Sequence, residues 1–544
     1  MLYLMSYRYE IFDNKGWIYN LKTFKYYESN LIKFFDSDII DNDYNLIESK
    51  VRNRHLVGIF STSQTQRFGK NKRGNIIYLV KSLESKLPNF LISYGGKLKG
   101  KIAVKFKFSH WNEKLPSGEI IDVIGNYSSE NMTKILMHHY NVYPKKIRLS
   151  INDINPLEQQ IERKEYSSNI FSIDPDDCMD IDDSLSIESN EKYTIIGVHI
   201  AQPNYWLKFE DLDNKIKYQF STLYTSEERK DLWGKELTYK ASLFEGEKKP
   251  AYTTLYYYNS EYKLIKTEDF PSWIINKKKL SYDNADNYCF ARELKKFTNK
   301  LSNILDYHEV VSFWMLKTNN YIGNKFSSNK IPYRVNNETS NSNVLDLQKL
   351  SEDIRKKFNS KNIEAAYYST DENIHQTLGL ENYCHFTSPI RRFIDTWIHF
   401  YLTYPSIRNT MNIDCSIINN LDKQTKKFHR QLELDNTITK LFLDSNKINT
   451  FGYIYKIISD NIIEIYIPPI NGQEVGFIKL RLFNIKFDYT INKTRSETSI
   501  ILEYNDNIIG YNIGDKIEVT IDKMEGILPK DKINIYPINQ IITI

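Results

Sequence analysis

The chain has 544 residues, 41% hydrophobic and 26% charged, with a net charge of +5; that is a globular composition, long enough for about three or four domains. No stretch approaches the roughly 20 apolar residues that span a membrane, and the N-terminal MLYLMSYRYEIFD lacks the basic flank and cleavage site of a secretory signal. Cys178, Cys289, Cys384 and Cys415 lie far apart with no CxxC pair, which excludes a zinc cluster or disulfide framework and leads to the expectation of a soluble intracellular protein.

Residues 1–50 are short and weakly patterned. Residues 51–126 read as strands broken by turns: HLVGIF at His55–Phe60, NIIYLV at Asn75–Val80, NFLIS at Asn89–Ser93, GKIAVKFKF at Gly100–Phe108, and Glu119–Ile124. Five short strands around the basic loop QRFGKNKRG (Gln66–Gly74) fit a small OB-type barrel. Residues 127–165 read as a polar, partly helical connector. Helical periodicity covers 295–325 and 416–446, and the last hundred residues return to short β runs, the pattern of a second barrel. The chain also holds 40 Tyr and 28 Phe among many Lys, Asn and Ile. Such flat faces beside cations suit stacking on single-stranded nucleic acid, although AT-biased coding yields the same composition.

Two stretches carry chemistry. IFSIDPDDCMDIDDSLSI (Ile170–Ile187) sets Asp174, Asp176, Asp177, Asp180, Asp182 and Asp183 in one loop between β-prone pieces. That many like charges repel unless cations neutralise them, and dense carboxylate oxygens suit Mg²⁺ or Mn²⁺. Two such ions roughly 3.5–4 Å apart can activate water and stabilise the leaving oxygen of a phosphodiester. An EF-hand loop fails at Cys178, Met179 and Leu185. An Asp-x-Asp phosphatase using Asp180 and Asp182, or a solvated acidic turn, remains as an alternative. The second stretch, YCHFTSPIRRFIDTWIH (Tyr383–His399), places Arg391 and Arg392 after a Ser-Pro turn, with Pro389 in the expected first turn of a helix. Guanidinium forks beside a helix amino terminus trap phosphate; a capping turn with solvated arginines is the plainer alternative. Carboxylates for metal together with arginines for phosphate are what phosphodiester hydrolysis requires.

On SIDPDDCMDIDDSLS and GLENYCHFTSPIRRFID the chain resembles the ribonuclease II / ribonuclease R family, closest in layout to the exosome catalytic subunit without its endonuclease domain. VGIF, QRFGK, LPSGEIIDVIG and GVHIA extend the resemblance over roughly residues 51–540. The resemblance implies an α+β fold: a central RNB catalytic domain of mixed sheet and helices over 127–445, a cold-shock-type OB barrel over 51–126, a C-terminal RNA-binding OB barrel over 446–544, and a first cold-shock barrel that is reduced or absent in 1–50. It implies Mg²⁺-dependent 3′-to-5′ hydrolysis of single-stranded RNA, or RNA with a 3′ overhang, to nucleoside 5′-monophosphates by a monomer away from membranes. By motif position Asp174, Asp180, Asp182 and Asp183 would hold metal, with Asp182 the most critical. Arg391 would contact the phosphate with Arg392 in support. Tyr224 would stack at the far end of the RNA channel, and Tyr282 near the 3′ nucleotide. Arg67, Lys70, Lys72 and Arg73 would touch phosphates at an entry funnel formed by the barrels. Glu433 would support the site, with Asp435 fitting almost as well. The chain departs from the family at Gln202 after VHIA, at Ser312 where an acidic residue is usual, and at Phe400. An inactive RNA-binding relative, acting as regulator or scaffold, is the alternative function.

Overall fold

The structure is a computed structural model. It describes residues 7–538 except 13–14, 22, 24, 30–32, 67, 113, 143, 145–153, 217, 226, 305, 338–348, 363–364, 372, 460–461, 483–491, 496–498 and 505–506. The chain forms two compact units, residues 1–143 with 427–544, and residues 144–426. Among the described residues no helix is long and apolar enough to cross a membrane.

Among the described residues the first unit contains four β structures. Residues 7–48, where at most a reduced barrel was expected, form an open five-stranded sheet with a small core of Tyr9, Ile18 and Ile40. The alternating apolar runs downstream close into a five-stranded barrel of His55–Ser61, Ile76–Ser82, Phe90–Tyr94, Lys101–His110 and Ser117–Asn126. Its inward faces carry Leu56, Phe60, Phe90, Ile102, Val104 and Phe106. Gly58 permits the closure, because a Cβ there would lie 2.6 Å from Val80 Cγ1 and 2.9 Å from the Lys81 carbonyl. The helix Met132–His139 falls in this unit, so the compact unit that follows begins later than residue 127.

At the C-terminal end, Lys447–Ser459, Ile462–Ile467, Gly476–Arg481, Lys516–Lys523 and Ile533–Pro537 form a five-stranded antiparallel sheet. Ile454, Ile463, Ile465 and Val519 fill its core, joined by Ile438 and Phe442 from the helical end before it. Ser499–Tyr504, which contains the run Ile500–Glu503 expected in the barrel, instead pairs with its immediate neighbours Asn492–Arg495 and Asn507–Asn512 in a separate three-stranded sheet, because local hairpins close at short loop cost.

The second unit is built on a seven-stranded mixed sheet in the order Lys164–Glu165, Leu264–Ile275, Lys248–Tyr258, Thr194–Ala201, Asp183–Ser189, Phe171–Ile173 and Lys278–Leu280. The interior strand Lys248–Tyr258 is buried along most of its length on both faces. Helices Cys289–Leu301, Tyr307–Lys325 and Phe393–Thr403 contribute Leu294, Trp314, Phe393 and Phe400 to the same core. The expected helix over 295–325 is thus two helices, parted near Ser302, which is extended.

Candidate active site

The acidic loop leaves the sheet after Phe171–Ile173 and returns at Asp183. Ile170 and Ile181 are fully buried at its ends. Its backbone is tied down by Asp174 N–H to the Leu280 carbonyl (3.0 Å), Leu243 N–H to the Ile181 carbonyl (3.1 Å) and Ala201 N–H to the Asp182 carbonyl (2.8 Å). Lys279 Nζ donates to the carbonyls of Asp176 (2.9 Å) and Cys178 (3.1 Å), and Ser242 Oγ to that of Met179 (2.8 Å). With its carbonyls engaged outward, the loop directs Asp174, Asp177, Asp180, Asp182 and Asp183 into one cavity of about 790 Å³.

The arginine loop forms the facing wall. Asn319, from the helix Tyr307–Lys325, accepts from Phe386 N–H (2.9 Å) and Thr387 N–H (3.2 Å). Trp233 Nε1 holds the Pro389 carbonyl at 3.0 Å. Ile390 N–H donates to Asp182 Oδ1 at 2.7 Å and Arg391 Nε to Asp182 Oδ2 at 2.9 Å, joining two motifs 208 residues apart. Ser388 Oγ accepts from both arginines, at 2.9 and 3.0 Å. The arginines do not open the helix as expected. It starts at Phe393, and Arg392 is extended, since Asp395 reaches back to Ser388 N–H (2.8 Å) and Arg392 Nη2 (3.0 Å). Arg392 is thus the extended residue just before the helix, and Arg391 lies on the turn that precedes it.

Tyr224 lies on the carboxylate cluster, in the same cavity as the metal candidates. The short antiparallel strands Leu223–Tyr224 and Arg229–Lys230 pair Tyr224 with Arg229. The Tyr224 hydroxyl donates to Asp180 Oδ2, and Arg229 Nη1 donates to Asp180 Oδ1 at 3.1 Å. Arg229 is anchored in turn by Asp231, with Nε 2.6 Å from Oδ1. Tyr282 also lines the cavity, its ring stacked on His308 with centroids 3.5 Å apart and planes 15° apart.

Burial raises the pKa of Asp174, Asp182 and Asp183, reinforced by their mutual repulsion. Burial disfavours a charged Arg391 as well, yet Asp182, Tyr224, Asp183 and Asp395 together outweigh it and raise its pKa. Arg391, at 2.9 Å, and the Ile390 N–H oppose the rise at Asp182 without cancelling it. The donors fit a hard cation in kind and charge, and Asp174 Oδ2 is buried with no hydrogen-bond partner. Among the described residues, however, no three His, Cys, Asp or Glu side chains are grouped as a metal site. Gathering the carboxylates on an ion requires Asp180 and Asp182 to exchange or share their arginine partners.

The other expected residues lie elsewhere. Arg67 is outside the described residues. Lys70, Lys72 and Arg73 are exposed on a turn of the closed barrel organised by Asn71, whose Oδ1 accepts from Arg73 N–H and Asn75 N–H at 3.0 Å each. Glu433 is exposed on the helix Cys415–Leu441, within the unit of the terminal sheet. Asp435, in the same unit, pairs with Lys532 at 2.5 Å. Ser312 does line the cavity. Gln202 and Phe400 belong to the core: Gln202 bridges Arg163 (2.5 Å) and Thr403 (2.9 Å), while Phe400 packs on Phe209 and Tyr404. Sequence reasoning missed Arg229, Asp231, Lys279, His308 and Asn319. The only available signal was the proximity of RKD (Arg229–Asp231) to Tyr224.

This is an α+β protein whose mixed-sheet unit sets an acidic loop against an arginine loop, accompanied by OB-type β structure. Residues 163–305 and 292–404 match the RNB domain family. It is 23% identical over 398 residues to ribonuclease R of Aquifex aeolicus, covering 56% of each chain, and spans about half the length of the curated relatives it matches. In fold it is similar to Mycoplasma genitalium RNase R, with a TM-score of 0.78 to the apo form at 15% identity, covering 98% of this chain and 100% of that one. The same protein in complex with ribose methylated single-stranded RNA matches with a TM-score of 0.77 at 15% identity and the same coverage. Yeast Ssd1, a pseudonuclease, is also similar, with a TM-score of 0.69 at 12% identity, covering 98% of this chain and 96% of that one.

Proposed function

We propose that the protein is a Mg²⁺-dependent 3′-to-5′ exoribonuclease that hydrolyses single-stranded RNA to nucleoside 5′-monophosphates. The observation that carries the reading is the meeting of the two loops: Asp182, in a cluster of carboxylates, is held by Ile390 N–H and Arg391 in one cavity. Asp174, Asp180, Asp182 and Asp183 would hold Mg²⁺, or Mn²⁺ in its place. The bound ions would supply an activated water and charge stabilisation at the leaving oxygen. The chain's own groups do the rest. Arg391 offers a fork to the phosphate oxygens, Ser388 and Asp395 keep Arg392 beside it, and Tyr224 holds Asp180 by its hydroxyl. Tyr282 presents a ring to a base, a contact indifferent to sequence. The likeness to an RNase R solved with single-stranded RNA supports this substrate class.

The second reading is an RNA-binding protein without hydrolysis. It is favoured by the ungrouped carboxylates, by Ser312 in place of an acidic residue, and by the likeness to a pseudonuclease. A time course on 5′-labelled single-stranded RNA, with Mg²⁺ and then with EDTA, separates them. The expected result is a ladder shortening from the 3′ end that EDTA stops and that Asp182→Asn lacks. RNA that stays intact while shifting in a gel points to the binding protein, and unchanged degradation by Asp182→Asn overturns the metal assignment.

A further inference from the structure

Tyr282 and His308 come from different segments, yet their rings are face to face, with centroids 3.5 Å apart and planes 15° apart. The contact is bolted from both sides. Tyr282 sits in a turn closed by Ser281 N–H to Asn284 Oδ1 (2.8 Å) and Asn284 N–H to the Ser281 carbonyl (3.2 Å). His308 stands in the first turn of the helix Tyr307–Lys325, where Asp306 caps Glu309 N–H at 2.9 Å. The neighbouring Tyr307 is buried and donates its hydroxyl to Asp286 Oδ1 at 2.7 Å, tying the start of that helix to the segment that follows Tyr282. The helix then continues into the cavity wall with Val311, Ser312 and Met315.

Tyr282 lines the cavity and the exposed His308 does not. Resting on the reading of an RNA substrate, we infer that His308 is a positioning residue for base binding: it backs the Tyr282 ring on the face turned from the cavity and presents the other face to an RNA base. A lone tyrosine in a half-open turn would lose rotamer freedom each time a base stacked on it, whereas a ring already held against a second ring has lost that freedom in the fold. The effect should thus be expressed in RNA affinity and only through Tyr282.

The test measures binding of a fluorescent single-stranded RNA with a free 3′ hydroxyl to the full chain in EDTA, by polarisation, for wild type, His308→Ala, His308→Phe, Tyr282→Ala and the double alanine variant. His308→Ala is expected to weaken binding by about fivefold, part of one base's stacking, and His308→Phe to return it to within about twofold of wild type. In the Tyr282→Ala background, replacing His308 should change nothing further. Full affinity in His308→Ala, or an equal loss in both backgrounds, overturns the platform and leaves the RNA reading standing if wild type binds. No binding by any variant sinks the RNA reading and the platform with it.

Discussion

Asp180 and Asp182 are neighbours in the acidic loop, but each carboxylate is met by a different arginine: Arg229 from the hairpin and Arg391 from the turn before Phe393. Both acids are buried, so the guanidinium opposite each one offsets a charge that burial alone would make costly. Arg229 is aimed by Asp231 and shares Asp180 with Tyr224, so it acts on a candidate metal ligand from outside the two sequence motifs. Arg229→Gln should lower turnover by about tenfold to a hundredfold, the usual range for residues that orient a ligand. Arg229→Lys, which keeps the charge without the fork, should fall between. Steady-state kinetics on a short oligomer, with thermal unfolding to establish that the variants are folded, measures this; wild-type kinetics in Arg229→Gln would remove Arg229 from the site. None of this was legible from Arg229 itself, because a polar residue in a polar stretch reads as solvated until its partner is known.

At the scale of elements, the helix Tyr307–Lys325 does two jobs with one sequence. Val310, Trp314, Thr318 and Ile322 are buried, while Val311, Ser312, Met315 and Asn319 line the cavity, the spacing of adjacent helical faces. Asn319 accepts from two backbone N–H groups of the arginine loop, and its Nδ2 donates to the Tyr383 hydroxyl at 3.1 Å. Asn319→Leu keeps the volume and orphans those donors, so it should cost about 1–3 kcal/mol for each buried group left unsatisfied. Denaturant unfolding reads that destabilisation, and RNA turnover should fall as well because the loop carrying Arg391 loses its support. The helical period of this segment was visible in the sequence, but its break near Ser302 and its service to another loop were not. The arginine motif shows the same limit. Ser-Pro-Ile-Arg-Arg looks like a helix start, yet Asp395 captures Ser388 N–H and Arg392 and delays the helix to Phe393.

At the scale of the molecule, the chain divides into a unit holding the cavity and a unit holding the small β structures. The exposed Lys70, Lys72 and Arg73 belong to the unit of small β structures, on a turn whose backbone is set by Asn71, so replacing the three with Ala should leave the barrel folded. If they track RNA phosphates, the triple variant should weaken binding of a long RNA and flatten its salt dependence by about 0.7 in log–log slope for each phosphate no longer neutralised. Binding titrations from low to high salt measure this, and an unchanged slope would return the turn to ordinary solvated surface.

The sequence by itself determined the acidic loop, the arginine motif and the strand-rich segments, because each rests on local pattern: like charges crowded in one loop, a turn chemistry, an alternation of apolar residues. It also marked Asp182 and Arg391 as functional candidates before any geometry was known. Only the tertiary structure decided which groups meet: that Asp182 is held by Arg391 across 209 residues, that Tyr224 lies on Asp180, that Asp435 is tied to Lys532, and that Gln202 and Phe400 are core positions. Contacts between segments distant in sequence are made by packing the mixed sheet and its helices around one core. No local pattern records which polar side chain that packing brings to which carboxylate.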